Sequence, residues 1–317
     1  MVGTYFQVSG NPNTDPKAAA QWLAEQRRRP IRAPQKTVQY GELLITSASL
    51  SSIPDEDLWS VLEQVAIASI ECSRFDLAQL CISRVSTRFP TSQRVIQLQG
   101  MLLEGQANPS AALALYENAL AKEPSLILSR RAIAALKAMG DLSSVVEALN
   151  RHLDTFYTDP EAWLELAEIY ATQGMYIQSA FALEEVILQV AQNSFYHLKY
   201  AETLYTAGEV AKSYKAFLRV LEMCQSDGEA VETKSVKAGP WLRALWGTKM
   251  ATTALIWSSS PQKGTNAAKD DKEKVVDVDK VKKIDELVTS LLLNKVYTSQ
   301  NVPAKHLRDL ARSVLAA

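Results

Sequence analysis

DPEAWLELAEIYATQGMYIQSAFALEEVI, residues 159–187, and NSFYHLKYAETLYTAGEVAKSYKAFLRVL, residues 193–221, are one unit written twice, 34 residues apart. Sliding the first onto the second pairs Leu166 with Tyr200, Ala167 with Ala201, Glu168 with Glu202 and Gly174 with Gly208. Ser179 then meets Ser213, Leu183 meets Phe217 and Val186 meets Val220. Trp163, Leu166, Ala167 and Tyr170 stand at i, i+3, i+4 and i+7, which is one face of a helix. Gly174 follows that face, where a left-handed residue ends a helix without a Cβ clash. Ser179, Leu183 and Val186 line a second helix, and the small side chains of Ala167 and Ser179 let the two helices approach closely. Neither helix buries its face alone, so each unit needs neighbours.

A 34-residue period of two helices, opening with Trp-x2-Leu-small-x2-Tyr, is the tetratricopeptide signature. The expected fold class is all-α: a tetratricopeptide-repeat superhelical solenoid with helical caps. Outward from the founding pair, weaker copies continue. Leu62, Val65, Ala66 and Ser69 take the first-helix slots of an opening unit; Ala78, Ile82 and Val85 take the second, and Pro90 closes it. The next runs from Gln93 with Ile96, Gly100 and Leu103, then Ala112, Tyr116 and Ala119, to Pro124, 34 residues after Pro90. Ala134 follows Gly100 at the same interval. The third unit, from Leu126, carries Gly140, but its second helix slips by about one residue. A sixth first helix follows at Pro240, set off by the insertion CQSDGEAVETKSVKAG.

The organisation expected is then fourfold. Residues 1–57 hold a partly disordered segment, over 1–16, and a helical cap, with helices at Pro16–Arg29 (Ala18, Trp22 and Leu23 buried) and Thr37–Ser47. Residues 58–257 form the array of about five repeats and a sixth helix. Residues 258–280 are polar and charged and read as a disordered linker. Residues 281–317 form a C-terminal cap, the alternative being a detachable partner-binding helix. Arg27-Arg28-Arg29 reads as a solvated helix end more readily than as a phosphate or headgroup site.

Bulk properties exclude several function classes. The 317 residues suffice for a large buried surface. A formal net charge of −1 gives no global field for nucleic acid. No apolar run approaches the ~18 residues of a membrane helix, and the N-terminus lacks the basic start and apolar core of a signal peptide. Three cysteines without a CxxC spacing fit a reduced compartment. There is no GxGxxG, Walker loop or HExxH, and no Cys/His cluster with metal spacing. His152, His197 and His306 are scattered, and His197 occupies a tryptophan slot, which favours packing over ligation. No catalytic, cofactor or metal residue is therefore expected, and the chain reads as a binding surface and not an enzyme.

The candidate surface comprises first-helix residues off the packing face: Arg130, Lys137, Leu164, Glu168, Leu198, Glu202 and Tyr205. Readers of chaperone tails hold a C-terminal carboxylate with a Lys/Asn clamp on such helices. The corresponding pairs here are Glu63/Ile67, Gln97/Met101, Arg130/Ala134 and Leu164/Glu168, and none forms that clamp.

From about Leu58 to Met250 the chain also resembles a specific family. LWSVLEQVAIASIE, DLAQLCISRVSTRFPTSQRV, LQGMLLE, ALYENALAKEP and IAALKAMGDLSSVVEALNRHLDTFYTDPEAWLELAEIY occur in the family's order, followed by AFALEEV, YAETLYTAGE and LRALWGTKM. These are similar to subunit 2 of the endoplasmic-reticulum (ER) membrane protein complex. The resemblance implies a non-catalytic scaffold on the cytoplasmic face of the ER. It would bind cytosolic tails and loops of the complex's membrane subunits and support insertion of tail-anchored and multipass proteins. In some lineages such a subunit also binds a soluble partner. Membrane association would be indirect, through partners, and no cofactor is implied.

Overall fold

The computed structural model of the protein describes residues 10–29, 31–47, 53–224, 239–258, 277–297 and 302–316. The described elements are helices, in two compact units divided between Phe156 and Tyr157. The expected insertion and linker lie outside the described residues over 225–238 and 259–276, as does the expected disordered start over 1–9.

The first unit opens with α1 (Pro16–Arg28) and α2 (Pro34–Thr46). The second starts three residues before the expected Thr37, because Pro34 sits in the first turn, where its missing N–H has no partner to lose. Ala18, Ala19, Trp22 and Leu23 are buried, and Trp22 meets Tyr40 edge-on at 4.9 Å. Arg27 reaches Asp57 at 2.9 Å and Gln64 at 3.0 Å, and Arg28 and Arg29 reach Glu25. The arginine triplet is thus spent on ion pairs within the chain.

Three helical hairpins complete this unit: α3 (Asp55–Glu71) with α4 (Phe75–Arg88), α5 (Gln93–Gly105) with α6 (Pro109–Leu120), and α7 (Leu126–Met139) with α8 (Leu142–Thr155). Left-handed backbone marks the period at Ser73, Ala107, Gly140, Gly174 and Gly208. The steps are 34 residues except for 33 between Ala107 and Gly140. The missing residue is in one loop. Pro90 precedes the N-cap Ser92 by two positions, whereas Pro124 directly precedes the N-cap Ser125. The slip therefore begins before α7 and not only in its second helix. Ala134, matched to Gly100 by simple counting, is exposed, while Ala132 and Ile133 are buried. In α8 the same shift puts Val145, Leu149 and His152 into the buried slots, and His152 Nδ1 lies 2.8 Å from Ser129 Oγ.

The second unit holds α9 (Pro160–Thr172) with α10 (Tyr176–Gln189), then α11 (Ser194–Thr206) with α12 (Val210–Met223). After them come α13 (Pro240–Ser258), α14 (Val278–Leu291) running into a π-helical turn at Leu292–Val296, and α15 (Val302–Ala316). The two founding copies make the same bonds 34 residues apart. Ser179 Oγ donates to Ala167 O at 2.8 Å, and Ser213 Oγ donates to Ala201 O at 2.9 Å. Asp159 and Asn193 cap α9 and α11 through their side chains, satisfying N–H groups that a helix start leaves unpaired.

The last helices pack on this unit as a cap. Val281 joins the core of Phe217, Val220, Ala244 and Ala251, and Val288, Leu292 and Val296 surround Leu245. Both ends of the expected linker are helical: Ser258 belongs to α13, and α14 begins at Val278. A nearly buried ion pair pins the cap. Lys249 Nζ is 2.7 Å from Asp285 Oδ2, and Thr252 Oγ1 donates to Asp285 Oδ1 at 2.6 Å. Removing the carboxylate strands the ammonium and the hydroxyl in a poorly hydrated seam. Asp285→Ala is expected to cost about 1–2 kcal/mol and to expose Lys282 and Lys283 of α14 to trypsin sooner. Unchanged cleavage would mean that apolar contacts alone hold α14.

Candidate partner-binding surface

The exposed faces of the first helices carry mixed charge, and ion pairs join neighbouring first helices within each unit. In the first unit Glu63 of α3 pairs with Arg94 of α5 at 3.2 Å. Glu104 of α5 pairs with Arg131 of α7 at 3.2 Å and accepts the Tyr116 hydroxyl at 2.6 Å. Burial, and then that carboxylate, push the Tyr116 phenol far above its ordinary range. In the second unit Glu168 of α9 meets Lys199 of α11 at 2.5 Å. Its repeat counterpart Glu202 holds Arg243 of α13 through two bonds, 3.1 and 2.7 Å. The exposed pairs contribute little stability, roughly 0–1 kcal/mol each; Glu104–Arg131 is part-buried. What they fix is the register of adjacent helices and the charge pattern shown to solvent.

The expected surface residues are distributed over both units. Arg130 and Lys137 are exposed seven residues apart on α7, beside exposed Ile127 and Ala134. That face carries two cationic and two apolar side chains at helical spacing. Leu164 is half-buried and Glu168 exposed on α9. Glu202 and Tyr205 come together on α11 at the wall of a cavity of about 360 Å³. Leu198 does not belong with them. It is 2% exposed and packs with Ala201, Tyr214, Phe217 and Ala244. It belongs to the core shared by α11, α12 and α13.

The cavity is completed by residues that the repeat pattern missed: Leu242, Arg243, Trp246 and Met250 of α13, and Tyr297 after the π-helical turn. Trp246 Nε1 donates to the Tyr297 hydroxyl at 3.3 Å. Gly247 sets the depth of the floor. A Cβ there would lie 2.3 Å from the Phe217 ring, so only glycine lets α13 descend onto α12. The lining combines Tyr205, Phe217, Trp246 and Tyr297 with the Glu202–Arg243 pair, apolar and aromatic surface with a few polar groups, as in binding pockets generally. Among the described residues no His, Cys, Asp and Glu cluster is arranged to hold a metal. The apparent signal was available: α13 was readable as a sixth first helix, and its outward residues follow from that.

Comparison with known proteins agrees with this architecture. The family model "EMC2 TPR-like repeat domain" matches residues 77–226. ER membrane protein complex subunit 2-A of Xenopus laevis is 37% identical over 201 residues, covering 62% of this chain and 67% of the relative. TPR repeat protein oca3 of Schizosaccharomyces pombe is 35% identical over 160 residues, 50% of this chain and 56% of the relative. A solved structure, the C-terminal part of a TPR repeat-containing protein from Cytophaga hutchinsonii, aligns with a TM-score of 0.53 at 13% identity. It covers 92% of this chain and 98% of that one, a likeness of fold alone. Subunit 2-B of Xenopus laevis is 34% identical over 243 residues, 75% of this chain and 76% of the relative. This chain belongs to the ER membrane protein complex subunit 2 family of tetratricopeptide-repeat proteins.

Proposed function

We propose that the protein is a non-catalytic scaffold subunit of an ER membrane protein complex. It sits on the cytoplasmic face, gathers cytosolic tails and loops of membrane subunits, and thereby supports insertion of tail-anchored and multipass proteins. Family membership carries this reading, because the relatives are named as subunits of that complex. The surface supports it: first helices presenting Arg130 and Lys137, Leu164 and Glu168, and Glu202 with Tyr205. No helix among the described residues is long and apolar enough to cross a membrane, so the integral partners supply the principal anchor. The mixed-charge faces suit peptide segments and give no continuous basic footprint for nucleic acid.

Arg130→Glu combined with Lys137→Glu is expected to leave the melting temperature within a few degrees of the parent, since both side chains are exposed. It should reduce co-purification of integral subunits from gently solubilised membranes. Full assembly of the double variant would place the interface elsewhere. Failure of the parent protein itself to co-elute with any integral subunit would defeat the scaffold reading.

A further inference from the structure

The cavity of the second unit joins an aromatic wall to a cation held in a fixed orientation. Arg243 lines it and has a side chain 64% exposed, against 36% for Glu202. Arg243 therefore stands between the cavity and solvent. Its Nε and Nη2 each donate to one oxygen of Glu202, at 3.1 and 2.7 Å. That pairing fixes the plane of the guanidinium and engages both carboxylate oxygens. A guanidinium has further N–H donors, and here Nη1 and the second Nη2 proton have no acceptor among the described residues. Tyr297 N–H donates to Leu292 O at 2.9 Å, an i to i−5 closure. This π-helical turn delivers the phenol to Trp246, and such turns concentrate at functional sites. Met250, 50% exposed, lines the cavity two turns along α13 from Arg243, a distance of about 10 Å.

We propose that this cavity takes an aromatic side chain from an extended peptide whose carboxylate, two residues away, is held by Arg243. An extended chain rises about 3.3 Å per residue and returns to the same face at every second one. The anchor and the carboxylate then stand about 7 Å apart, within the ~10 Å that separates Arg243 from Met250. The anchor meets the rings of Tyr205, Trp246 and Tyr297 and the Met250 thioether, surfaces that favour an aromatic partner. Charge decides its neighbour. A lysine or arginine on the peptide would meet Arg243, the more exposed member of the pair, and would find both Glu202 oxygens engaged. A carboxylate meets unused N–H donors on a guanidinium that Glu202 already orients. Little side-chain freedom is lost when it binds. The assignment rests on the scaffold reading for its partner, a cytosolic segment of another subunit, and names the sequence feature that such a segment needs.

The test is a titration of the isotope-labelled full chain with the peptide Ser-Asp-Ser-Phe-Ser-Asp-Ser, blocked at both ends and read at the Trp246 indole N–H resonance. The acidic residues on both sides of the anchor make the direction of the peptide immaterial. The resonance should shift and saturate. Replacing the central Phe by Ala, or both Asp by Lys, should weaken binding about tenfold or more. Arg243→Gln and Met250→Glu should each weaken the original peptide about tenfold. Their melting temperatures should stay within a few degrees of the parent, because both side chains are exposed. An indole resonance that does not move, equal binding of the lysine peptide, or an Arg243→Gln variant that binds as the parent does overturns the proposal. If no peptide binds while the parent chain still co-elutes with integral subunits, the cavity assignment fails and the scaffold reading stands. If the peptide behaves as expected but no integral subunit co-elutes, the cavity assignment stands and the scaffold reading fails.

Discussion

Gly100→Ala is expected to lower stability by about 3 kcal/mol, a large loss for one added methyl group. A Cβ at Gly100 would lie 2.2 Å from three atoms of the Tyr116 ring and hydroxyl. That ring has no room to retreat. Tyr116 is 0% exposed, and its hydroxyl donates to Glu104, which in turn holds Arg131. Moving the ring breaks a charge-assisted bond as well as the packing of Ala112, Leu128 and Ala132 around it. Tyr116→Ala should cost about 3–5 kcal/mol by itself, through the cavity it opens. The two changes are not additive. Once the ring is gone, the methyl group at position 100 points into vacated space, so the second substitution should cost almost nothing. A double-mutant cycle in urea should return a coupling of about 2 kcal/mol or more. Additive losses would mean that α5 shifts away from α6 to accept the methyl group, and that the close approach seen at Gly100 is not required.

This pair also shows how much of the molecule could be read from one sequence. Gly100 and Tyr116 fall in slots defined by the repeat, and both helix faces are local patterns of i, i+3 and i+4. Short-range periodicity therefore reported the all-α repeat fold, most helix ends and the buried residues of the founding copies. The errors arose where the period broke or where distant segments met. A one-residue loss between Pro124 and Ser125 displaced the slots of α7, so counting by 34 selected exposed Ala134. Leu198 looked outward on its own helix and is buried in a core that α12 and α13 complete. Arg243 reaches Glu202 from 41 residues away, and Tyr297 reaches Trp246 from 51. Arg243 follows from reading α13 as a sixth first helix, but Tyr297 lies beyond the repeats, so no spacing rule announced its place in the cavity wall.

Trp163→Ala should destabilise the second unit by about 3–5 kcal/mol, and Trp163→His by clearly less. Trp163 is 9% exposed, edge-on to Tyr157 at 5.7 Å and to Phe181 at 6.3 Å. Its Nε1 donates to Tyr157 O at 3.0 Å, closing the loop that leads into α9. The same slot one repeat later holds His197, whose Nε2 lies 2.9 Å from Ala191 O. Both side chains serve the carbonyl six residues upstream, although they differ in size and polarity. The slot therefore asks for two separable things: a ring-borne N–H that ties down the preceding loop, and apolar area that fills the groove between the paired helices. Alanine removes both. Histidine keeps the N–H and forfeits only the area. The gap between the two variants, expected at about 1 kcal/mol or more, measures the loop bond. Trp163→Phe completes the set by keeping most of the area and removing the donor. Equal melting temperatures for the histidine and alanine variants would show that the tryptophan acts through packing alone, and that the shared hydrogen bond at His197 is incidental to the repeat.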